Sequence, residues 1–545
     1  MTQFDYIIVG AGSSGAVLAD RLSADGKSRV LLLEAGGTNE SEMVRMPRAF
    51  LKMWGNPLYF WSFPVKAQTG RPEGETWFYG RGLGGSSSTN GTWYMRGMPA
   101  DYDSWAAMGL REWSWDEVVR CFGAMESYHY PHADRSRGRN GPLQITELPF
   151  RSRFLDAIKA AAVQFGLPVL GDINTPNTAG IGYTQATVDR RGRRASSYRA
   201  FLKPAMGRKN LTVVTDAMVE RVLIEDGRAT GVRYRTGDAV VEVGAQRDVI
   251  VSAGTLQSPK LLQLSGIGPD DVLARAGVPV VKSLPAVGRN LADHVMVSLS
   301  FRMKNYRGFN HVFSGWRAAL HVAQYYLTRK GLMAYTSPEL TAMIALEAPE
   351  TWPEIQVGIG PFSMRSSAEI KADPGRGALE SEPGYTFNAQ YLRPKTRGSV
   401  AIESADITDP VLVDANWWAD PDDRRMLIGM VRMLRKFAAL PALEHYTVRE
   451  VSPGPQHQTD AEIGAALEWL ASPGVHATGT CRMGLSAADA VVDSRLRVHG
   501  IKGLRVVDCS VMPTPPSGNT NGPAMMVGWR AAELILEDRD SDAAA

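Results

Sequence analysis

Phe4-Asp5-Tyr6-Ile7-Ile8-Val9 runs straight into Gly10-Ala11-Gly12-Ser13-Ser14-Gly15; a helical pattern follows from Ala16 to Leu22, and Arg29-Val30-Leu31-Leu32-Leu33 ends on Glu34. Strand, glycine turn, helix and second strand make a complete βαβ unit of α/β type. Gly10 permits the tight turn, Gly12 lets the backbone approach a pyrophosphate, and Gly15 lets helix and strand pack closely. The helix start, with Ser13 and Ser14, offers amide N–H groups to phosphate. Glu34, with Ala35 beside it, stands where a carboxylate accepts hydrogen bonds from an adenosine ribose. A glycine turn alone is an ordinary structural feature. In this company it reads as a dinucleotide site, and since FAD and NAD both use such a unit, the choice between them rests on the rest of the chain.

Outward from that unit, 545 residues with 44% hydrophobic side chains exceed one compact core and predict two or more domains around a large ligand. The formal charge is only +3, from 60 basic and 57 acidic residues without long runs of either sign, which argues against nucleic acid as a partner. Cys121, Cys481 and Cys509 lie far apart with no CxxC spacing, so neither a disulfide framework nor a zinc site is expected. No grouping of His, Cys, Asp and Glu has metal-ligand spacing, so no metal is predicted. The first strand begins almost at the initiator Met, leaving no room for a signal peptide, and no run reaches the ~18–20 apolar residues of a membrane span. The cytoplasm is the expected compartment. The aromatic stretch from Phe50 to Phe63 is a candidate contact with a membrane surface, but Gly55, Pro57 and Pro64 break any amphipathic helix, and a loop over the active site is the simpler reading.

Residues 80–103 hold Gly80, Gly82, Gly84 and Gly85, then Ser86, Ser87 and Ser88, flanked by Trp77-Phe78-Tyr79 and Trp93-Tyr94-Met95. A backbone this flexible and dense in small donors suits close contact with phosphate or a flat ring. A linker would have no reason to carry the aromatics. This block resembles the first signature of the glucose-methanol-choline (GMC) oxidoreductases. Gly254-Thr255-Leu256-Gln257-Ser258-Pro259 through Gly268 resembles the second, and Leu284 to His294 and Leu504 to Asp508 also read as landmarks of that family. Leu261, Leu262 and Leu264 look like a core-facing helix, so the second block has a structural role even within the family.

The resemblance covers nearly the whole chain and implies FAD, an alcohol substrate and a branch close to choline and alcohol dehydrogenases. It places Arg81, Gly84, Gly85, Ser86 and Ser87 along the flavin, followed by Asn90, Gly91 and Thr92. It also brings Ala253, Asp508, Asn519, Thr520 and Asn521 to the cofactor, and Val219, after the strand-like Leu211 to Val214, to its adenine end. A valine in a strand is ordinarily just core. Thr89 stands where some members carry a histidine bonded to the flavin; threonine cannot make that bond, so FAD is expected to be non-covalent.

Val475-His476-Ala477-Thr478-Gly479 resembles the family's active-site segment, with Ala477 in place of the usual proline, and Asn519 falls at the second active-site position. The chemistry explains the pair. An alcohol proton must leave as hydride departs from the same carbon, and a neutral imidazole within hydrogen-bond reach can take it. Asn519 can donate an amide N–H to the oxygen as it gains negative charge. The flavin N5 is the hydride acceptor that the resemblance implies, and the helix starting near Asn521 would aim its positive end at the ring. A single histidine among nine is more often structural; its small-residue loop and its Asn519 partner favour catalysis. His294, His311 and His499 read as structural.

The expected architecture is a Rossmann-like FAD-binding domain from 1–150, 205–295 and 480–540. A second domain, from 151–204 and 296–479, is expected as an antiparallel sheet with flanking helices, and 541–545 as a frayed tail. Trp93 is the residue expected to touch substrate, with Thr92 a lesser candidate. Aromatics between 300 and 400, such as Tyr306, Phe309 and Trp316, are candidates for a pocket but read more simply as core. Oxidases using oxygen and dehydrogenases using a quinone or dye share all these motifs, and nothing in them bears on oligomeric state. A flavin-containing lyase acting on cyanohydrins would use the same His476. Light-driven fatty-acid decarboxylation would not need the His476–Asn519 pair, a non-catalytic FAD protein would not need both positions filled, and an NAD enzyme would leave the other blocks unexplained.

Overall fold

The computed structural model describes residues 2–68, 74–313, 315–365 and 379–544. The apolar run at the start is the strand Thr2–Val9, whose last four residues are buried. It pairs in parallel with Val30–Leu33 on one side and with the second half of Ala239–Val251 on the other, so that Ile8 lies between Leu32 and Ile250. Leu211–Val214 and Leu504–Val506 extend this parallel core outward. Strands covered on both faces read as unbroken apolar runs rather than as alternation, which is why these segments stand out in the sequence. The first half of Ala239–Val251 turns instead into an antiparallel ribbon with Arg228–Thr236 and Ala217–Glu225. The helix Ser13–Ser23 packs against the last helix, Asn521–Ala544, and Ser14 Oγ donates to Ala524 O at 2.7 Å, tying the two helix starts together.

The second sheet is antiparallel throughout. Thr447–Ser452, Val295–Met303, Gly384–Tyr391, Ile355–Gly360, Leu340–Ile344 and Gly180–Tyr183 follow one another across it, and Ala471–Pro473 pairs with Val295–Met303. Helices such as Pro421–Ala438 and Asp460–Leu470 cover its outer face through Met430, Leu434, Ile463 and Leu467. Each large sheet thus has its own hydrophobic core.

The segment from Phe50 to Phe63 is not the loop that its glycine and prolines suggest. Phe50–Met53 is a helical turn, and Phe60–Val65 is a strand paired with Glu75–Gly80. Gly55 and Pro57 fall between these elements. Pro64 is tolerated because the neighbouring strand Leu412–Asp414 pairs with this one only at Val65, leaving Pro64 without a ladder bond to lose there. Leu51, Trp54 and Leu58 remain exposed. The last helix runs through Ala544. Its final turn gains a bond from Ser541 Oγ to Glu537 O at 2.9 Å, and Ala545 lies outside the described residues. Among the described residues no helix is long and apolar enough to cross a membrane.

Candidate active site

Between the two sheets lies a cavity of about 400 Å³. One end is the glycine turn. Gly10 holds φ +101°, and a Cβ there would lie 2.4 Å from Ser252 O; a Cβ on Gly15 would lie 1.9 Å from Gly10 O. Both contacts are forbidden, so turn, helix and strand close up only with glycine. Gly12 has open space where its side chain would be, and no side chain caps the helix start, so its amides are available to an anion. Gly10, Gly12, Ser13, Ser14, Glu34, Ala35 and Val219 all face this space. Glu34 is already anchored: its oxygens accept from Ala11 N (2.9 Å), Gly36 N (2.8 Å) and Gly82 N (3.0 Å).

The glycine-serine block packs onto that turn, with Gly84 N donating to Ala11 O at 2.7 Å. Gly85, Ser86, Thr89, Asn90 and Gly91 face the cavity, as do Ala253, Asp508, Asn519, Thr520 and Asn521. Gly15, Arg81, Gly84 and Ser87 do not. They hold the wall from behind: Arg81 donates to Ala35 O at 3.1 Å, and Ser87 Oγ donates to Gly84 O at 2.6 Å. Thr92, between Gly91 and Trp93, does not line the cavity. Its side chain is fully buried off the cavity, with its hydroxyl on Thr336 Oγ1 at 3.0 Å, because φ +59° swings the chain away from the wall at this point. Trp93 does face the cavity.

At the far end, Asn519 Nδ2 lies 3.0 Å from His476 Nε2, and His476 Nδ1 lies 3.1 Å from His294 Nδ1. Gln356 Nε2 donates to Asn519 Oδ1 at 3.2 Å. An amide nitrogen can only donate, so His476 Nε2 is the bare nitrogen, its Nδ1 carries the proton, and His294 Nδ1 accepts it. His476 and Asn519 both face the cavity. The loop that carries the ring is pinned by Asp293, whose oxygens accept from His476 N (2.8 Å) and Val475 N (3.1 Å). Burial lowers the His476 pKa to about 4 and pushes that of His294 well below the ordinary range. Burial also raises the Asp293 carboxyl to about 8, against the pull of the backbone amides. Asn519 is held from below by Asp101, which accepts from Ser517 N at 2.6 Å and from Ser517 Oγ at 2.8 Å.

Local patterns hid part of this site. His294, read as structural, is the partner of His476. The aromatic wall comes from Phe50, Trp54, Phe60, Trp61, Phe78 and Tyr79 rather than from 300–400, whose Phe301, Tyr325, Tyr385 and Phe387 are core. The one legible signal was the density of aromatics on both sides of the glycine-serine block.

Residues 4–296 match the N-terminal part and residues 394–528 the C-terminal part of the GMC oxidoreductase family. The chain is 38% identical over 542 residues to an oxygen-dependent choline dehydrogenase of Vibrio vulnificus (strain YJ016), covering 98% of this chain and 94% of that one. It is 35% identical over 547 residues to an alcohol dehydrogenase [acceptor] of Pseudomonas putida, covering 98% and 96%. Among solved structures it resembles pyridoxine 4-oxidase from Mesorbium loti, with a TM-score of 0.86 and 30% identity over 97% of this chain and 98% of the other.

Proposed function

The chain belongs to the GMC oxidoreductase family, and from that premise we propose that it oxidises a primary alcohol with His476 as the base that takes the hydroxyl proton. FAD is its cofactor, and the residues present fit it: one continuous cavity joins an uncapped glycine turn, an anchored Glu34 and a neutral imidazole. In this reading Gly10, Gly12, Ser13 and Ser14 hold the pyrophosphate, Glu34, Ala35 and Val219 the adenosine, and Gly85 to Gly91 with Ala253, Asp508, Thr520 and Asn521 the flavin. The parts of the chain at 1–150, 205–295 and 480–540 form the cofactor domain, and 151–204 with 296–479 the substrate domain.

The observation that carries the proposal is the His476–Asn519 pair on the wall of that cavity. When bound, the flavin supplies the acceptor for the hydride of the alcohol carbon. His476 Nε2, unprotonated, accepts the hydroxyl proton. Asn519 Nδ2 donates to the oxygen as negative charge builds on it. His294 receives the hydrogen bond from His476 Nδ1 and holds the ring in the tautomer that leaves Nε2 bare. Anaerobic mixing with a panel of aliphatic, aromatic and cationic primary alcohols tests the reading. Bleaching of the flavin band supports it, and no bleaching by any of them in an FAD-loaded protein points instead to lyase chemistry on the same histidine. Admitting air afterwards separates oxygen from a quinone or dye as the acceptor.

Thr89 faces the cavity and offers no imidazole to bond the flavin. Denaturation followed by filtration is therefore expected to release all of the yellow colour; colour retained with the chain would mean a covalent bond elsewhere. The cytoplasm is the proposed compartment, with exposed Leu51, Trp54 and Leu58 as the edge nearest to any membrane contact.

A further inference from the structure

We propose that the substrate end of this cavity is built for an uncharged alcohol that carries a second hydroxyl, and not for a cationic alcohol; this rests on the reading of His476 as the base that activates an alcohol. Met343 pairs with Gln356, Gln356 with Gln390, and Gln390 with Met296, so the four side chains form one row on one face. Met296 and Gln390 face the cavity, and Gln356 reaches Asn519, so the row runs along the wall beside the catalytic pair. Trp93 lies against the same face. A Cβ on Gly358, two residues beyond Gln356, would come within 2.7 Å of the indole, so the missing side chain is what lets the ring lie on the sheet.

Three polar atoms of this corner lack a partner: Gln356 Oε1, Gln390 Oε1 and Trp93 Nε1. Their residues are 0%, 4% and 9% exposed. Gln390 and Trp93 face the cavity and Gln356 lies behind them against Asn519; buried polar atoms are ordinarily hydrogen-bonded, so the acceptor and the donor left open on the wall describe the group they await. A hydroxyl matches that set, since it donates one hydrogen bond and accepts others. It can donate to a glutamine oxygen and accept from the indole N–H. An ammonium or trimethylammonium group could give the indole nothing to donate to. The only carboxylates facing the cavity, among the described residues, are Glu34 and Asp508. Glu34 is held by backbone amides, and Asp508 accepts from Gly254 N (2.9 Å), Ser258 Oγ (2.5 Å) and Ser510 N (2.8 Å). The row beside His476 puts neutral Met296 and Gln390 where a cation would need a counter-charge.

The test uses the FAD-loaded enzyme and three probes: benzyl alcohol, 4-hydroxybenzyl alcohol and choline. The hydroxylated alcohol is expected to reduce the flavin with a second-order rate constant about 10²-fold above that of benzyl alcohol, since the analogue leaves a buried donor and acceptor unsatisfied. Choline is expected to be the slowest of the three. Gln390→Leu and Trp93→Phe should each shrink the preference for the hydroxylated alcohol to below about 10-fold, with flavin content and visible spectrum reporting that the fold is intact. Perturbation of the flavin spectrum by 4-hydroxybenzaldehyde and by benzaldehyde gives the same comparison without turnover. Equal rates for the two aromatic alcohols, or a preference for choline, would overturn this inference while leaving alcohol oxidation standing; failure of every alcohol to bleach the flavin would remove the functional reading beneath it.

Discussion

Replacing His476 with alanine is expected to slow flavin reduction by an alcohol about 10²–10⁴-fold while FAD stays bound. The effect is large because the ring does two things at once. Its unprotonated Nε2 is the basic nitrogen of the chain Gln356–Asn519–His476–His294, and its neutrality is set by burial rather than by pH near 7. The pH profile carries the sign. The base works unprotonated, and its pKa lies near 4 instead of the usual 6.5, so the rate should be flat from about pH 5 to 7 and fall only as pH approaches 4. His476→Gln keeps a hydrogen-bonding side chain but no base, and should lose nearly as much as alanine. Stopped-flow reduction across pH decides the matter: an alanine variant within a few-fold of wild type would place the base elsewhere, and a limb near 6.5 would mean that the bound cofactor and substrate leave the ring solvated.

How much of this was legible depended on the reach of each signal. The strand from Phe4 to Val9, the glycine turn and Glu34 lie within 34 residues, and every contact that makes them a unit is local or set by strand periodicity. His476 and Asn519 were legible only because their short loops resemble those of a family; neither residue type is distinctive alone. His294 lies 182 residues from His476, and nothing in its local sequence links the two. The row Met343, Gln356, Gln390 and Met296 exists only through strand register, and a one-residue slip would turn each side chain to the opposite face. The 50–64 segment was misread for the opposite reason: Gly55, Pro57 and Pro64 are real breakers, but they punctuate a helix and a hairpin instead of abolishing them. Thr92 follows Asn90 and Gly91 in the chain, but at φ +59° its buried side chain bonds Thr336 instead of lining the cavity.

The same limit hid the charge cluster whose loss should cost the fold most. Glu126 is completely buried, and its oxygens accept from Tyr94 Oη (2.7 Å), Arg96 Nε (2.7 Å), Arg96 Nη2 (2.6 Å) and Arg137 Nε (2.9 Å). Arg137 also bonds Asp172 Oδ1 at 2.9 Å and Gln185 Oε1 at 2.8 Å. The cluster sits under the active site: a Cβ on Gly522 would lie 2.4 Å from Met95 O, so the segment Tyr94 to Arg96 is the floor on which the loop bearing Asn519 rests. Glu126→Ala strands two buried guanidiniums, with Asp172 left to balance both, and is expected to cost about 3–5 kcal/mol, the range for breaking a buried pair on one side. The neighbouring guanidiniums hold the Glu126 pKa at about 2, below its ordinary 4.5, despite burial. A carboxylate with a lowered folded pKa contributes its full stability above about pH 4.5 and loses it as pH falls toward 2. The gap between wild type and variant should therefore be constant from pH 5 to 8 and narrow on acidification. Thermal or urea unfolding followed by flavin release and by far-UV dichroism measures it, with Glu347→Ala, which breaks only an exposed pair with Arg425, as the control that should leave the midpoint in place. If Glu126→Ala unfolds with the control, the cluster is solvated and gives the floor of the site no rigidity; if it unfolds early and flavin is lost before the dichroism changes, the cofactor loop is the first part of the molecule to feel the unpaired charge.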